Sequence, residues 1–255
     1  MPNFSHGALY MLGAFLTWAL WSAGVPVVLA VGLAMIAVAV LGAAIDWSTF
    51  KPLRKAPHVA LLIASFAVGV VIEGAALLFW GADSRTIETA AAGHVIEFAG
   101  VSLSLIRFIT LVAAVVLIVA ADYVVRRTSL GRAMRAVEQN PVGAAVSGIN
   151  TDRVYRSTVA VSAALAAAAG ALAGMAFTVD VTMGFLPVVK AFVIVIVGGL
   201  GSIPGTIVAA LILGISENMS SAYISSAWRD IFGFTVLIVV LVVRPQGLFG
   251  RKALR

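Results

Sequence analysis

The sequence contains no cysteine, and only 11% of its 255 residues are charged. The lack of cysteine excludes disulfides, thiolate metal sites and cysteine nucleophiles. Soluble domains carry about 25% charged residues, so a chain with this little charge cannot cover itself with a water-compatible surface. With 62% hydrophobic residues and a mean hydropathy of +1.09, the composition indicates a membrane protein.

The apolar runs are continuous and do not alternate at a two-residue period, which excludes a transmembrane barrel. Helices then satisfy every backbone polar group within the lipid. We therefore predict an all-α, polytopic transmembrane bundle of about seven or eight hydrophobic segments, forming a single domain over residues 1–255. Whether the sixth and seventh runs both cross or form a re-entrant pair stays open. The runs lie at 8–23, 25–45, 57–80, 104–125, 157–178, 186–200, 203–219 and 228–243.

The basic residues predict the orientation of these segments. Thirteen of the 17 Lys and Arg residues lie in segments 46–56, 126–156 and 244–255, whereas the loop 81–103 contains only Arg85. Cytoplasmic loops are enriched in Lys and Arg. We therefore predict that the three basic segments are cytoplasmic and that the loop 81–103 lies outside.

Residues 127–140, RTSLGRAMRAVEQN, form an unusually polar stretch for this chain. Apolar residues recur there at i, i+3, i+4 and i+7, which predicts a short amphipathic helix, capped by Thr128 or Ser129 and ended by Asn140 and Pro141. The residues alone leave two interpretations open: a helix lying in the lipid headgroups, or a helix that docks into a groove on a soluble partner. The apolar face is Leu130, Ala133, Met134 and Val137; the polar face is Arg132, Arg135, Glu138 and Gln139.

Five segments in order resemble one known family: permease subunits of bacterial ABC importers for branched-chain amino acids. The final segment favours the H-type subunit over its M-type partner. Ser5 and Lys51 stand where the family usually has alanine and arginine. The segments are NFSHGALYMLGAF (3–15), KPLR (51–54), RTSLGRAMRAVEQNPVGAAVSGINTDRV (127–154), MGFLPVVKAFVIVIVGGLGSIPG (183–205) and RPQGLFG (244–250).

The resemblance implies a multi-pass permease of the bacterial inner membrane that moves branched-chain amino acids inward, using ATP hydrolysed by separate subunits. The chain itself would be no enzyme and would need no cofactor. Expected partners are a second permease subunit in a heterodimer, cytoplasmic ATP-binding subunits, a periplasmic substrate-binding protein and the bilayer, but no nucleic acid. The alternatives are a same-family permease for urea, short amides or another small polar solute, and a secondary transporter. The stretch 127–140 would be the coupling helix, with Gly131, Arg132, Arg135 and Glu138 as its ATPase-coupling residues.

A second group of residues is predicted to line the substrate pathway or to pack helices. The stretch GGLGSIPG (198–205) lacks the Lys-Ser/Thr of a nucleotide-binding loop, so its glycines predict a tight turn or hinge. Glu73 lies deep in an apolar run, where a charge is costly, and is expected to face the bundle interior. A polar cluster opens the first run. The candidates are Asn3, His6, Gly7, Glu73, Gly198, Gly199, Gly201 and Gly205.

Four further residues have simpler structural interpretations. Asp122 is spaced to pair with Arg126 four residues later. Gly170 and Gly174 have the small-xxx-small spacing of closely packed membrane helices. The three histidines are far apart in sequence and predict no metal site.

The resemblance also raises an expectation about the N-terminus. The first motif begins at residue 3, whereas the family usually has a hydrophobic helix before it. The run 8–23 falls short of the roughly 20 residues needed to span a membrane unaided. We expect an apolar helix encoded upstream of Met1 to pack beside this run.

Overall fold

A computed structural model describes residues 3–89, 94–98, 101–199, 201–225, 228–244 and 247–249. The chain is predominantly helical, which confirms the predicted all-α class. A π-helical turn, Asp46–Phe50, joins the second helix to the third. The helices are α1 (Ser5–Ser22), α2 (Val27–Ile45), α3 (Lys51–Leu53), α4 (His58–Trp80), α5 (Leu105–Arg127), α6 (Ser129–Gln139), α7 (Pro141–Val146), α8 (Thr151–Ala176), α9 (Phe185–Gly198), α10 (Ile203–Tyr223) and α11 (Arg229–Val243).

Five helical segments are long and apolar enough to cross a membrane, as the apolar runs predicted. They are Val27–Leu53, Val59–Trp80, Leu105–Arg127, Thr151–Ala176 and Ile203–Tyr223. Shorter apolar helices accompany them. One of these, α9, has 14 residues and is therefore about 21 Å long at 1.5 Å per residue, less than the roughly 30 Å of hydrocarbon in a bilayer.

A short β-hairpin interrupts the helical pattern. Strands β1 (Val95–Phe98) and β2 (Val101–Ser104) pair antiparallel within the loop that was predicted to lie outside. The polar composition of the loop indicates only a connection between two spans and did not predict these strands. The same loop begins with a backbone bridge in which Arg85 and Val179 exchange two N–H···O bonds of 2.8 Å.

The chain divides into two compact units, residues 1–185 and 186–255. In the first unit, α1 lies at the centre and packs against α2, α4 and α8. Its side chains at Leu9, Met11 and Phe15 are almost completely buried. Burial on several sides explains how a helix as short as α1 is held in place: neighbouring helices, rather than lipid, surround it.

Small residues let these helices approach at backbone distance. A Cβ atom on Gly170 of α8 would clash with the backbone carbonyl of Tyr10 on α1. One turn further along, a Cβ on Gly174 would lie 2.7 Å from a methyl group of Val179. The predicted packing role of Gly170 and Gly174 is therefore confirmed, and it is possible because glycine lacks the side chain that would separate the helices.

The second unit consists of α9, α10 and α11. Helix α9 ends at Gly198 and α10 begins at Ile203, and α10 packs against α11. After α11, the segment 247–249 returns to the end of α9, where the Leu248 N–H donates to the Val197 carbonyl at 2.7 Å. The turn and the C-terminal segment therefore lie together at one end of this unit.

Candidate functional site

The connection between α5 and α6 is a sharp, capped corner. The Thr128 hydroxyl accepts a hydrogen bond from the Gly131 N–H at 3.1 Å, so of the two predicted caps Thr128 is the N-cap of α6. Gly131 is buried, and a Cβ there would clash with the carbonyl oxygens of Val124 and Val125 at the end of α5. Glycine is therefore required for α6 to leave α5 at this angle.

The apolar face of α6 is covered by the chain itself. Val137 is buried in a small cluster with Ala144 of α7 and Val154 of α8. On the opposite side of α6, Arg132 and Glu138 are exposed. A helix that lies in lipid headgroups needs a free apolar face, whereas here Val137 is buried, the other apolar residues of that face are half-buried, and the polar face is exposed.

Arg135 was expected to share the exposed face of α6 with Arg132, but the structure places it elsewhere. It is half-buried, and its guanidinium donates to the Val125 carbonyl near the C-terminal end of α5. The last carbonyls of a helix have no partner within the helix, and a cation near them also interacts favourably with the helix dipole. Arg135 therefore fastens α6 to α5, and Arg132 and Glu138 remain as the exposed charged residues of the predicted coupling helix.

An ion network lies beside this region and joins two distant parts of the sequence. Arg54 bonds both carboxylate oxygens of Asp46, at 2.8 and 2.6 Å, and the first oxygen of Asp152 at 2.5 Å. Lys51 pairs with the second oxygen of Asp152 at 2.9 Å. The Arg54 guanidinium also lies 4.5 Å from the centre of the Tyr155 ring. The network connects the π-helical turn and α3 to the first turn of α8.

Sequence reasoning missed this network. Arg54 and Asp152 are separated by 98 positions, and the motif KPLR marked only the basic half of it. The local pair was easier to predict: Arg126 donates to Asp122 at 2.7 Å within α5, which confirms that prediction.

The polar candidates at the start of α1 form a local turn. The Asn3 side-chain oxygen accepts bonds from the Ser5 N–H at 3.1 Å and the Ser5 hydroxyl at 2.7 Å. Gly7 is buried, and its carbonyl leaves no room for a Cβ at Gly184. His6 is half-buried beside them. The structure thus assigns local hydrogen bonds to Asn3 and a packing contact to Gly7.

Glu73 lies on the flank of α4. The buried side of that helix carries Ser65, Gly69 and Ala76, and Gly69 packs against the start of α1. Glu73 is only half-buried, at the edge of this side rather than in its centre. Among the residues that the structure describes, no hydrogen bond or ion pair reaches its carboxylate. A carboxylate at this depth needs polar surroundings, which this part of the chain does not itself supply.

The glycine-rich turn between α9 and α10 is tightly packed. A Cβ on Gly198 would lie 2.6 Å from the carbonyl carbon of Gly205, so the two helices meet there at backbone distance. Gly199 and Gly201 have φ angles of 99° and 84°, a region that favours glycine. The turn also contacts the C-terminal segment, where a Cβ on Gly247 would lie 2.7 Å from the Gly199 nitrogen. This geometry fits the predicted tight turn.

Alanine at both Gly199 and Gly201 is expected to destabilise the chain. Each alanine would have to adopt a left-handed conformation, at a cost of about 1–2 kcal/mol. We expect a lower yield in the membrane and a lower melting temperature in detergent. Gly214→Ala is the matched control, because a Cβ there meets no atom within 4 Å. Equal stability of the double variant and the control would contradict the assignment.

A second charged cluster joins the three helices of residues 186–255. Lys190 of α9 pairs with Glu217 of α10 at 2.9 Å and with Asp230 of α11 at 3.0 Å. Glu217 is buried, and Val193 and Phe234 line an apolar cleft beside the charges. Lys190 and Glu217 are 27 positions apart, and no pattern in the sequence marks them as partners. Their pairing arises only from the packing of α9 against α10.

Together these features define a class of protein: a polytopic helical membrane protein with a short amphipathic helix fastened to its bundle. Residues 1–241 match the family described as branched-chain amino acid transport system / permease component. The chain belongs to this family.

Individual relatives agree with the family match. The high-affinity branched-chain amino acid transport system permease protein LivH of Escherichia coli (strain K12) is 32% identical, over 98% of this chain and 86% of its own length. The permease protein BraD of Pseudomonas aeruginosa is 29% identical over the same shares. The ribose import permease protein RbsC of Haemophilus influenzae is 26% identical over 76% of this chain and 62% of its own. No solved structure matches the chain significantly.

Proposed function

We propose that the chain is the H-type permease subunit of an ABC importer that moves branched-chain amino acids inward across a bacterial inner membrane. The names of the LivH and BraD relatives support this substrate class. ATP would be hydrolysed by separate cytoplasmic subunits. A second permease subunit and a periplasmic substrate-binding protein would complete the transporter.

The observation that carries the proposal is that α6 is held by contacts within the chain while its polar face is exposed. Val137 on its apolar face is buried against Ala144 and Val154, and Arg135 donates to a carbonyl near the end of α5, so contacts within the chain hold the helix in place. Its exposed face carries Arg132 and Glu138 in the loop that is predicted to be cytoplasmic. A rigid helix with a free polar face suits docking on a soluble ATP-binding subunit better than insertion into headgroups.

Glu73 is our candidate for the substrate pathway. Its half-exposed carboxylate lies within a span and has no polar partner in the part of the chain that the structure describes. Such a group is stable only beside a partner subunit or a water-filled path. His6, Asn3 and Gly7 stay candidates for the same pathway, although Asn3 also makes local hydrogen bonds and Gly7 a packing contact.

The direct test is leucine uptake into proteoliposomes that contain the chain with its partner permease and ATP-binding subunits. In transporters whose ATP-binding subunits lie inside the liposome, we expect uptake to require ATP in the lumen. The substrate-binding protein must then be present outside. Uptake driven by a proton gradient without ATP would instead indicate a secondary transporter. ATP-dependent uptake of urea or a short amide with none of leucine would refute the substrate class.

Charge reversal at Arg132 is expected to uncouple the transporter. In Arg132→Glu, the exposed face of α6 would present a negative charge to its partner, and like charges brought together across an interface cost several kcal/mol. We expect ATP-driven uptake to fall at least about tenfold, a change of roughly 1.4 kcal/mol in coupling, while the protein still inserts into the membrane.

The matched control is Arg153→Glu, in the same loop. Arg153 is exposed in the first turn of α8, where an acidic residue is favourable because of the helix dipole. We expect near-normal uptake from this variant. Equal uptake by Arg132→Glu and Arg153→Glu would mean that α6 does not dock through Arg132.

A further inference from the structure

We propose that Arg54 and Asp152 are positioning residues that transmit movement of the coupling loop to the turn between α2 and α4. The inference rests on the proposed function, because it assumes that ATP-binding subunits drive α6. These residues would act in the step after docking, in which motion of α6 is passed along a path to the membrane helices. No residue of this path lies on the docking face itself.

The first part of the path is the packed loop. Helices α6, α7 and the start of α8 share one cluster, formed by Val137, Ala144 and Val154. The start of α8 is fixed further by Asn150, whose side-chain oxygen accepts the Arg153 N–H at 3.0 Å. Displacement of α6 therefore displaces the first turn of α8, where Asp152 lies.

The second part is the charged link out of that turn. Asp152 places one carboxylate oxygen 2.5 Å from Arg54 and the other 2.9 Å from Lys51, so two cations on one element hold it. Arg54 in turn bonds both oxygens of Asp46, whose side chain is only 3% exposed. Hydrogen bonds between an arginine and a carboxylate are strong and also fix the relative orientation of the two groups. The link therefore resists both separation and sliding of the two elements.

The third part is the entry into the bundle. Asp46 begins the π-helical turn directly after Ile45, which is buried in a cluster with Val38 of α2 and Ala163 of α8. Irregular π turns are frequent at functional sites within helices. Coupling between distant sites requires a continuous physical connection that both sites can bias. Here the connection runs from α6 through Asp152, Arg54 and Asp46 to the core around α2.

A local ion pair in the same region provides the comparison. Asp122 and Arg126 are four residues apart on α5 and exposed, so their pair joins no separate elements. Loss of either Asp122 or Asp152 removes one carboxylate on the predicted cytoplasmic side. Of these two changes, only the loss of Asp152 removes the ion pairs between the coupling loop and the α2–α4 turn, and the contact of Arg54 with the Tyr155 ring remains.

The first experiment compares Asp152→Asn with Asp122→Asn in the complete transporter. Asp152 is half-exposed, and Arg54 keeps its bonds to Asp46, so the variant is expected to fold. We expect leucine transported per ATP hydrolysed to fall at least about fivefold in Asp152→Asn, the lower end of typical coupling energies. Asp122→Asn should keep the wild-type ratio. An unchanged ratio in Asp152→Asn would overturn the inference.

The second experiment restores the link by covalent chemistry. The chain has no cysteine, so Lys51→Cys with Asp152→Cys introduces the only two thiols in it. We expect a low transport-to-ATP ratio for this variant in reductant, and recovery when a short bifunctional thiol reagent joins the two positions. Asp152→Cys alone, treated with the same reagent, should not recover. Failure of the cross-linked form to recover would show that the two elements must separate during transport, contrary to the proposal.

The wild-type transporter distinguishes the two levels of failure. If it shows no ATP-driven leucine uptake, the proposed function is wrong. If it shows such uptake and the Asp152 variants keep a normal ratio of transport to ATP, only the positioning role is wrong. A lowered melting temperature with an unchanged ratio would assign Arg54 and Asp152 to stability alone.

Discussion

Arg54→Leu is expected to destabilise the protein by about 3–5 kcal/mol, the usual cost of removing one partner of a buried ion pair. Arg54 makes two bonds to Asp46, and the Asp46 side chain is almost fully buried. Without the guanidinium, that carboxylate stays buried with no counter-charge beside it. We expect little folded protein in detergent and a strongly lowered melting temperature.

Two variants make this prediction specific. Arg126→Leu removes an exposed pair with Asp122 and should cost about 1 kcal/mol or less. Asp46→Asn combined with Arg54→Leu removes both buried charges and should recover much of the lost stability. Two results would contradict this explanation. One is an Arg54→Leu variant with the same melting temperature as Arg126→Leu, and the other is a double variant no more stable than Arg54→Leu. Either result would show that loss of the buried ion pair does not cause the instability.

Gly131→Ala is expected to abolish most ATP-driven uptake. The new methyl group would clash with the carbonyl oxygens of Val124 and Val125, so α6 must move away from α5. That movement also separates Arg135 from its acceptor at Val125. A coupling helix displaced from its position cannot hold the geometry that docking requires, and we expect uptake to fall at least about tenfold.

Gly143→Ala is the control within the same loop. The three atoms nearest to a Cβ there all belong to the Asn140 side chain, at 3.2 Å or more, and that side chain can shift. We expect uptake close to wild type, because the packed cluster between α6 and α8 is left intact. Uptake is measured beside membrane yield, so that loss of coupling is separated from loss of protein. Full uptake by Gly131→Ala would show that the corner tolerates a side chain.

Features that depend on neighbouring residues in the sequence were predictable. Continuous apolar runs predicted the membrane helices, because a helix in lipid needs only its own backbone bonds. The spacing of Leu130, Ala133, Met134 and Val137 predicted α6, and Thr128 its cap. The pair Asp122–Arg126 was predictable because residues four positions apart are neighbours on the surface of a helix. Each of these signals lies within a single helical segment and needs no knowledge of which helices meet.

Features that depend on which helices meet were decided by the tertiary structure. Arg54 reaches Asp152 across 98 positions, and Lys190 reaches Glu217 across 27. A long, flexible cation has many rotamers, and only packing selects one of them. Arg135 shows the same point at short range: helical periodicity placed it beside Arg132, but the position of α5 turned its side chain inward.

For this protein, the sequence by itself determined the membrane class, the helical segments and the family, because composition, periodicity and ordered motifs are properties of the chain. The structure decided which distant charges pair, which helix each packing glycine meets and which face of α6 is free. Those outcomes require elements to approach within a few ångströms. Gly131 of α6 lies this close to the last carbonyls of α5, and Gly170 of α8 lies this close to Tyr10 of α1. Such approaches arise from the packing of whole elements, which no local pattern specifies.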